Sequence, residues 1–339
     1  GSPFVQRDAT DGSSEGINVK GVLFANLKPV KGLVITSRFG FRISQSNVHS
    51  YQAPYYSNGK ADTKTYTLRA EANTGLYYQW ENFANYNKVF AGKHSLNVMA
   101  GMSFIHNKSD NVHGTATGAD ILKGYEPNFR YLNYVLDDAT KKFSNSPSES
   151  ASLSYFGRLG YTYDNRYSIQ ANFRADAFDS SKLSAKNRWG YFPSVSAGWT
   201  ISNEPWFKNA ISTSALSFLK VRGSWGINGN INVLSGYPYS TSISLNSQWY
   251  QYHADETGNV YGSAPDGLAN PDLTWETSNQ VDAGLDARFL NNRLSFTFDW
   301  FRKETRDLLV TYSPTPEYGV SSVTNNAGNV LNTGFEAEL

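Results

Sequence analysis

The sequence predicts an all-β fold, an antiparallel transmembrane β-barrel of which about eleven strands are present. Three observations support this prediction. Apolar and polar residues alternate with a period of two, the alternating segments are long, and the connections between them alternate between short and long. All three are properties of barrel strands that turn one face to lipid and the other to the lumen.

The alternation is clearest between Tyr66 and Glu81, where every charged residue falls on one face of the segment. The opposite face carries Tyr66, Leu68, Ala70, Ala72, Thr74, Leu76, Tyr78 and Trp80. Because successive side chains of a strand point to opposite faces, this pattern predicts an apolar face toward lipid and a polar face toward the lumen. Trp199, Trp225 and Trp300 fall on equivalent apolar faces, as expected for an aromatic girdle.

About eleven segments share this pattern, and many exceed the ~9–11 residues that a tilted strand needs to cross a bilayer. Strands of soluble proteins are usually shorter, at about 5–6 residues. The predicted strands cover residues 17–27, 33–45, 64–82, 94–106, 151–163, 166–178, 188–202, 217–228, 275–290, 292–308 and 333–339. Strands of this length and number favour a large barrel.

The connections between these segments indicate which end of the barrel faces outward. Short ones lie near 28–32, 83–93, 164–165, 203–216 and 291–292, and longer ones near 46–63, 107–150, 179–187, 229–274 and 309–332. Outer-membrane barrels have short periplasmic turns and longer extracellular loops, so the second set is expected outside the cell. We also expect tight hairpins at 164–165 and 291–292, because Asn tolerates positive φ, and a short helical turn within 203–216.

The composition excludes several functional classes. Charged residues make up 17% of the 339 residues and the net charge is +1, so no nucleic-acid partner is expected. Without cysteine, no disulfide or thiolate metal site can form. No apolar stretch approaches the ~18 residues of a membrane helix. The five histidines show no metal-ligand spacing and no catalytic motif stands out, so we expect no metal, no cofactor and no enzymatic activity.

Two groups of carboxylates fit acid–base chemistry by residue type. Glu336 and Glu338 lie two positions apart on one strand face, and Asp282 and Asp286 share a face with Arg288. Paired carboxylates can transfer protons, whereas polar residues at alternate positions are typical of a barrel lumen. The alternation favours the second interpretation, so we predict that these are polar lumen positions.

Aromatic residues in two long connections are the candidate substrate contacts. Flat aromatic rings can stack on sugar rings or hold peptide side chains, and loops often carry binding residues. The candidates are Trp249, Tyr250, Tyr252, His253, Tyr125, Phe129 and Tyr131. The competing interpretation is that these rings pack within their own loop or against a lid protein.

The second half of the chain contains five motifs in a fixed order. They are Arg188-Trp189-Gly190-Tyr191-Phe192-Pro193-Ser194 continuing to Ser202-Asn203-Glu204, Leu219-Lys220-Val221-Arg222-Gly223-Ser224-Trp225-Gly226, Asn270-Pro271-Asp272-Leu273-Thr274-Trp275-Glu276, Phe289-Leu290-Asn291-Asn292-Arg293-Leu294 continuing to Asp307-Leu308-Leu309, and Gly334-Phe335-Glu336-Ala337-Glu338-Leu339. Together they resemble the barrel of the SusC/RagA family of TonB-dependent outer-membrane transporters. The first half resembles that family through its strand pattern.

The resemblance implies active import of a nutrient, a glycan, an oligosaccharide or a peptide, across the outer membrane. The expected partners are the TonB, ExbB and ExbD complex, acting through an N-terminal part, a SusD-like surface lipoprotein as a lid, and membrane lipid. It also implies a barrel of about 22 strands around a plug domain. The sequence shows no TonB box, plug domain or closing strand, so we expect residues 1–339 to be a partial barrel domain whose open edges pair with further strands.

Three other functions stay open from the sequence. The first is a passive porin-like channel, which an upstream plug and TonB box would exclude. The second is a surface-binding or adhesin barrel, which would bind its ligand without transporting it. The third is a soluble β-rich enzyme such as a glycosidase, which would purify as a monodisperse protein without detergent.

Overall fold

The computed structural model of this protein describes residues 3–58, 61–118, 130–135, 137–212, 215–234, 236–255, 258–265, 267–315, 317, 319–320 and 322–339. Strands dominate these residues. The strands are β1 (Thr10–Leu27), β2 (Leu33–Gln52), β3 (Tyr55–Asn58), β4 (Ala61–Thr63), β5 (Tyr66–Phe90), β6 (His94–Gly118), β7 (Lys142–Asn145), β8 (Ser148–Tyr163), β9 (Tyr167–Phe178), β10 (Trp189–Thr200), β11 (Leu216–Asn230), β12 (Ile243–Asp255), β13 (Gly258–Pro265), β14 (Glu276–Phe289), β15 (Leu294–Arg306), β16 (Leu309–Tyr312), β17 (Val323–Asn326) and β18 (Val330–Glu338).

Within the described residues, helical structure is limited to short pieces. The two α-helices are α1 (Pro3–Asp8) and α2 (Pro205–Ala210), and single 3₁₀ turns occur at Leu132–Tyr134, Asp138–Thr140 and Ile201–Asn203. Helix α2 confirms the helical turn predicted within 203–216. Among the described residues, neither helix has the length or apolar character needed to cross a membrane.

Twelve strands form one antiparallel sheet, which confirms the predicted fold class. Eleven of them follow one another in the order β1-β2-β5-β6-β8-β9-β10-β11-β14-β15-β18, and β7 pairs with β6. These eleven strands correspond one to one with the eleven segments predicted from the alternation. Three two-stranded sheets, β3–β4, β12–β13 and β16–β17, lie within the long connections.

The strand ends differ most from the prediction in β5 and β6. The prediction ended these strands at residues 82 and 106, whereas the structure extends them to Phe90 and Gly118. Residues 107–118 are mostly polar, and Asn85, Asn87 and Lys88 interrupt the apolar residues of 83–90, so these segments lack the clear apolar alternation that marked the rest. Ladder hydrogen bonds do not depend on that alternation, and the strands therefore continue past it.

Residues with positive φ form the short connections, as tight hairpins require. Asp164 and Asn165 have φ of 51° and 53°, and Asn291 and Asn292 have φ of 59° and 66°. Both hairpins predicted from Asn therefore occur. The second turn is wider than predicted, because Leu290 also has a positive φ of 52°.

The first of two compact units comprises Gly1–Phe24, Arg38–Trp80 and Ile105–Ala151. Its small core contains Tyr51, Tyr66, Leu68, Ala116 and Val135. Tyr66 and Leu68 begin the apolar face of β5, where the alternation predicted contact with lipid. Both are instead buried, because Val135 from a long connection packs in their cluster. Further along the same face, Leu76 and Trp80 are exposed.

The second unit comprises Ala25–Ser37, Glu81–Phe104 and Ser152–Leu339. Its sheet exposes large apolar side chains along one face, namely Leu159, Ile169, Phe173, Tyr191, Val195, Trp225, Phe298, Trp300 and Phe335. Strand pairing places these side chains on the same face of the sheet. For example, Val195 lies opposite Ala171 of β9 and Trp225 of β11. Soluble monomers rarely expose contiguous apolar patches of this kind, so this face suits a lipid environment.

We expect Val195→Arg to reduce the free energy of unfolding by about 2–4 kcal/mol, because a cation near the bilayer midplane costs that much on a lipid-facing barrel strand. The matched control is Ser194→Arg, which puts the same side chain on the opposite face, between Asn172 and Gly226. Urea unfolding of the full-length protein in lipid vesicles measures both variants. Equal losses would contradict the assignment of the apolar face to lipid.

Candidate functional site

Tyr131 is the one candidate substrate contact whose side chain lies within the described part of the structure. It precedes the 3₁₀ turn at Leu132–Tyr134, its ring is exposed, and its centroid lies 4.6 Å from that of His49. His49 Nε2 in turn lies 2.7 Å from the carbonyl oxygen of Arg130. The long connection is thereby held to the end of β2, and two flat rings lie side by side.

Arg130, which precedes Tyr131, contacts both β1 and β2. Its Nη1 donates to Asp11 Oδ2 of β1 at 3.0 Å, and its guanidinium lies 4.4 Å from the centre of the Tyr51 ring. Cation–π contacts of this kind favour a guanidinium over the face of an aromatic ring. Arg130 is therefore occupied by structural contacts, while the neighbouring Tyr131 ring is exposed.

The other candidates are less completely described. Tyr125 and Phe129 lie outside the described residues. Trp249, Tyr250, Tyr252 and His253 lie on β12, whose pairing with β13 shifts register three times between Ser244 and His253. Their side chains are also outside the described part of the structure. The expected loop is thus a hairpin in its backbone, inserted between β11 and β14.

A second core holds the long connections of the second unit together. It contains Leu183, Ile231, Leu234, Leu273, Trp275 and Leu309, with Phe178 and Phe192 packed against it. Side-chain amides tie the backbone around this core. Asn326 Nδ2 donates to the carbonyl of Thr274 at 3.1 Å, and Trp275 Nε1 donates to the carbonyl of Arg188 at 3.2 Å.

Two glycines make room for the aromatic rings of this core. A Cβ on Gly190 would lie 2.5 Å from Phe192 Cζ and 2.8 Å from Trp275 Cε2. A Cβ on Gly229 would meet the same Phe192 ring and, at 2.9 Å, Trp275 Cε3. Close approach of an aromatic ring to the backbone therefore explains why glycine stands at both positions.

On the polar face of the sheet, Arg222 joins two carboxylates. Its guanidinium makes two 2.8 Å contacts with Asp299 and donates from Nε to Asp286 at 3.1 Å. Gly284 lies opposite Arg222 in the ladder, and a Cβ there would come within 2.7 Å of Arg222 Cζ. Asp282 accepts from Ser224 Oγ at 3.1 Å. Asp282 and Asp286 thus have structural partners on the polar face, in line with the lumen interpretation.

A cluster around Glu204, between β10 and α2, was not anticipated from the sequence. Glu204 is buried, and its Oε1 accepts from Tyr167 OH at 2.5 Å and from Trp199 Nε1 at 3.0 Å. Its Oε2 accepts from Arg166 Nη1 at 2.7 Å. Arg166 belongs to the β8–β9 turn, so this one carboxylate joins two neighbouring short connections. We call these four residues the Glu204 clamp.

The clamp lies outside the membrane-spanning strands except for its two aromatic donors. The hydrogen bond from Tyr167, supported by those from Trp199 and Arg166, holds the pKa of the Glu204 carboxyl below its usual value of 4.5, although burial acts in the opposite direction. Glu204 is consequently ionised at neutral pH. The sequence signal available was only a Glu before the Pro-Trp pair that begins α2.

Within the described residues, no group of three or more His, Asp or Glu side chains is placed to hold a metal ion.

Comparison with known proteins decides the family. The sequence model of a family described as TonB dependent receptor-like, beta-barrel, matches residues 11–339. This chain belongs to the TonB-dependent receptors. These are outer-membrane proteins, so the apolar face of the sheet lies against the lipid of that membrane.

Several relatives support the assignment. TonB-dependent receptor P39 of Formosa agariphila is 31% identical over 323 residues, covering 93% of this chain and 28% of that receptor. TonB-dependent receptor SusC of Bacteroides thetaiotaomicron is 36% identical over 188 residues, covering 55% of this chain and 18% of SusC. The chain thus spans less than a third of the length of the curated relatives that it matches.

Solved structures show the same likeness. The RagAB peptide importer in its closed-closed state superposes with a TM-score of 0.82 at 26% identity, covering 97% of this chain and 34% of that chain. The siderophore receptor PiuA from Acinetobacter baumannii superposes with a TM-score of 0.52 at 14% identity, covering 96% of this chain and 44% of that one. The second match shows the fold alone.

In the full-length receptor, we expect Glu204→Gln to lower the unfolding temperature, because the amide keeps an acceptor but loses the ion pair with Arg166. The matched control is Asp164→Asn, which removes the more exposed carboxylate 3.0 Å from the same guanidinium and should cost less. The unfolding temperatures of the native receptor and of the two variants are measured by thermal unfolding in detergent micelles.

The pH dependence of the same variants tests the charge of Glu204. Its pKa is lower in the folded state than in the unfolded state, so the stability that it contributes is fully present above pH 4.5 and is lost as the pH falls through the folded pKa. The difference in Tm between the native receptor and Glu204→Gln should therefore narrow in acid. A difference that stays constant down to the folded pKa would rule out an ionised Glu204.

Proposed function

We propose that residues 1–339 supply about half of the barrel domain of an outer-membrane importer that takes up a glycan, an oligosaccharide or a peptide. The likeness to the RagAB peptide importer over 97% of the chain carries this proposal, because it combines a TM-score of 0.82 with 26% identity. The apolar face and the charged, hydrogen-bonded opposite face support it. A lipid-facing wall and a polar lumen are what a barrel importer needs.

The proposed energy source and partners lie outside this chain. The importer couples to TonB, ExbB and ExbD through another part of the protein, and a SusD-like surface lipoprotein covers its extracellular side. The relation to SusC over 188 residues and the two-component name RagAB support these partners. We propose no catalytic role, since the relatives reported above are named as receptors and importers.

The proposed substrate contacts are the aromatic residues of the long connections, Trp249, Tyr250, Tyr252, His253, Tyr125, Phe129 and Tyr131. Tyr131 has the strongest support. Its ring is exposed beside His49, and Arg130 and Asp11 hold the segment in place below it. A ring fixed in this way loses little conformational entropy when it stacks on a ligand.

Energised uptake by intact cells separates this proposal from a passive channel and from a surface-binding barrel. A strain lacking the full-length gene is compared with its parent for uptake of fluorescein-labelled maltoheptaose and of a fluorescein-labelled casein digest. We expect one probe to enter only when both the receptor and TonB are present and the protonmotive force is intact. Uptake that survives a protonophore would indicate a passive channel, and binding without entry would indicate a surface-binding protein.

Tyr131→Ala should weaken binding of the imported probe by about 2–10-fold, because an aromatic contact contributes roughly 0.5–1.5 kcal/mol. Tyr134→Ala is the matched control, since Tyr134 lies in the same connection and is equally exposed, at 49%. Titration of the purified full-length complex with the labelled probe measures both affinities. Equal affinities for the two variants would show that Tyr131 does not contact the ligand.

A further inference from the structure

Helix α2 follows directly on a residue whose side chain reaches the apolar side of the sheet. Glu204 precedes Pro205, and its carboxylate binds Tyr167 OH and Trp199 Nε1. Tyr167 and Trp199 lie opposite each other in the ladder. They are on the same face of the sheet as Ile169 and Val195. The side chain of Glu204 therefore reaches the lipid side of the rim.

Helix α2 carries one buried and one exposed aromatic ring. Phe207 is 4% exposed, whereas Trp206 is 55% exposed, and the two rings meet edge to face at 5.8 Å. Lys208 is also exposed, one residue further along. The Phe207 ring is thus buried in the protein, while the Trp206 ring and the Lys208 side chain remain exposed.

A row of aromatic rings leads to this helix along the end of the sheet with the short connections. Phe90 stacks on His94 at 4.9 Å, His94 lies 5.0 Å from Tyr163, Tyr163 lies 6.4 Å from Tyr167, and Tyr167 lies 6.3 Å from Trp199. Tryptophan and tyrosine concentrate where a bilayer meets water, because one part of the ring is apolar and another donates a hydrogen bond. Glu204, which directly precedes α2, binds the last two rings of this row, Tyr167 and Trp199.

We propose that α2 lies in the periplasmic interface of the outer membrane, with Trp206 among the phospholipid headgroups and Lys208 beside their phosphates. Two observations select a lipid surface over a protein partner. The carboxylate that precedes α2 is bound on the apolar side of the sheet, and the two rings that bind it, Tyr167 and Trp199, belong to an aromatic row in the lipid-facing wall. An exposed tryptophan and an exposed lysine on one short helix suit a phosphate-rich surface.

The depth of residue 206 in a bilayer tests this proposal. Trp206→Cys is made in the full-length receptor, with any cysteine outside these 339 residues replaced by serine, and is labelled with a nitroxide. The receptor is reconstituted in phosphatidylethanolamine–phosphatidylglycerol vesicles, with a water-soluble nickel chelate on both sides. The ratio of oxygen to nickel accessibility then reports depth. Leu159→Cys calibrates the lipid-facing strand, and Val233→Cys calibrates an exposed long connection.

We expect the ratio at 206 to lie between the two calibration values, and Lys208→Cys to give a value nearer to water. If Trp206→Cys fails to fold, Lys208→Cys alone tests the proposal. In an interfacial helix, the ratio of oxygen to nickel accessibility at position 208 should still be higher than that at Val233→Cys. A ratio at 206 equal to that of Val233 would overturn the proposal, since it would place α2 in the periplasm. Low accessibility to both reagents would also overturn it, because a protein would then cover the helix.

Discussion

The need to pair every backbone amide and carbonyl inside lipid is the constraint on which the rest of this structure depends. A long antiparallel ladder meets it, and the ladder forces successive side chains to opposite faces. Val195 therefore points to the apolar side together with Ala171 and Trp225, while Ser194 points to the polar side. The same register brings Asp286 and Asp299 within reach of Arg222, although these residues come from three different strands.

The two ends of the ladder solve a different problem, because backbone groups there lose their strand partners. At the short connections, residues with positive φ reverse the chain within a few positions, and the Glu204 clamp ties neighbouring turns together. At the long connections, a small apolar core around Leu273 and Trp275 orders the chain. The amide of Asn326 supplies hydrogen bonds to backbone that no strand can satisfy.

Sequence periodicity predicted the eleven main strands because lipid and lumen impose opposite chemistry on alternate residues. It predicted the turn at Asn291 and Asn292 because few residues other than glycine accept positive φ. It missed the ends of β5 and β6, where strand pairing continues without an apolar face. It also missed the burial of Tyr66 and the contacts of Glu204. Those depend on residues distant in sequence, such as the 37 positions between Tyr167 and Glu204, and no local pattern encodes them.

A buried carboxylate on the lipid side of a sheet is costly unless its oxygens are fully engaged. Glu204 meets this condition with a phenol, an indole and a guanidinium, and all three depend on where β9 and β10 are paired. In the observed register, Trp199 lies opposite Tyr167, which places both donors on one face. A slip of one residue would turn every side chain of one strand to the other face. Trp199 or Tyr167 would then point away, and the carboxylate would lose a donor while remaining buried. The clamp therefore disfavours a one-residue slip, and it reinforces at the rim the pairing that the apolar face selects along the strands.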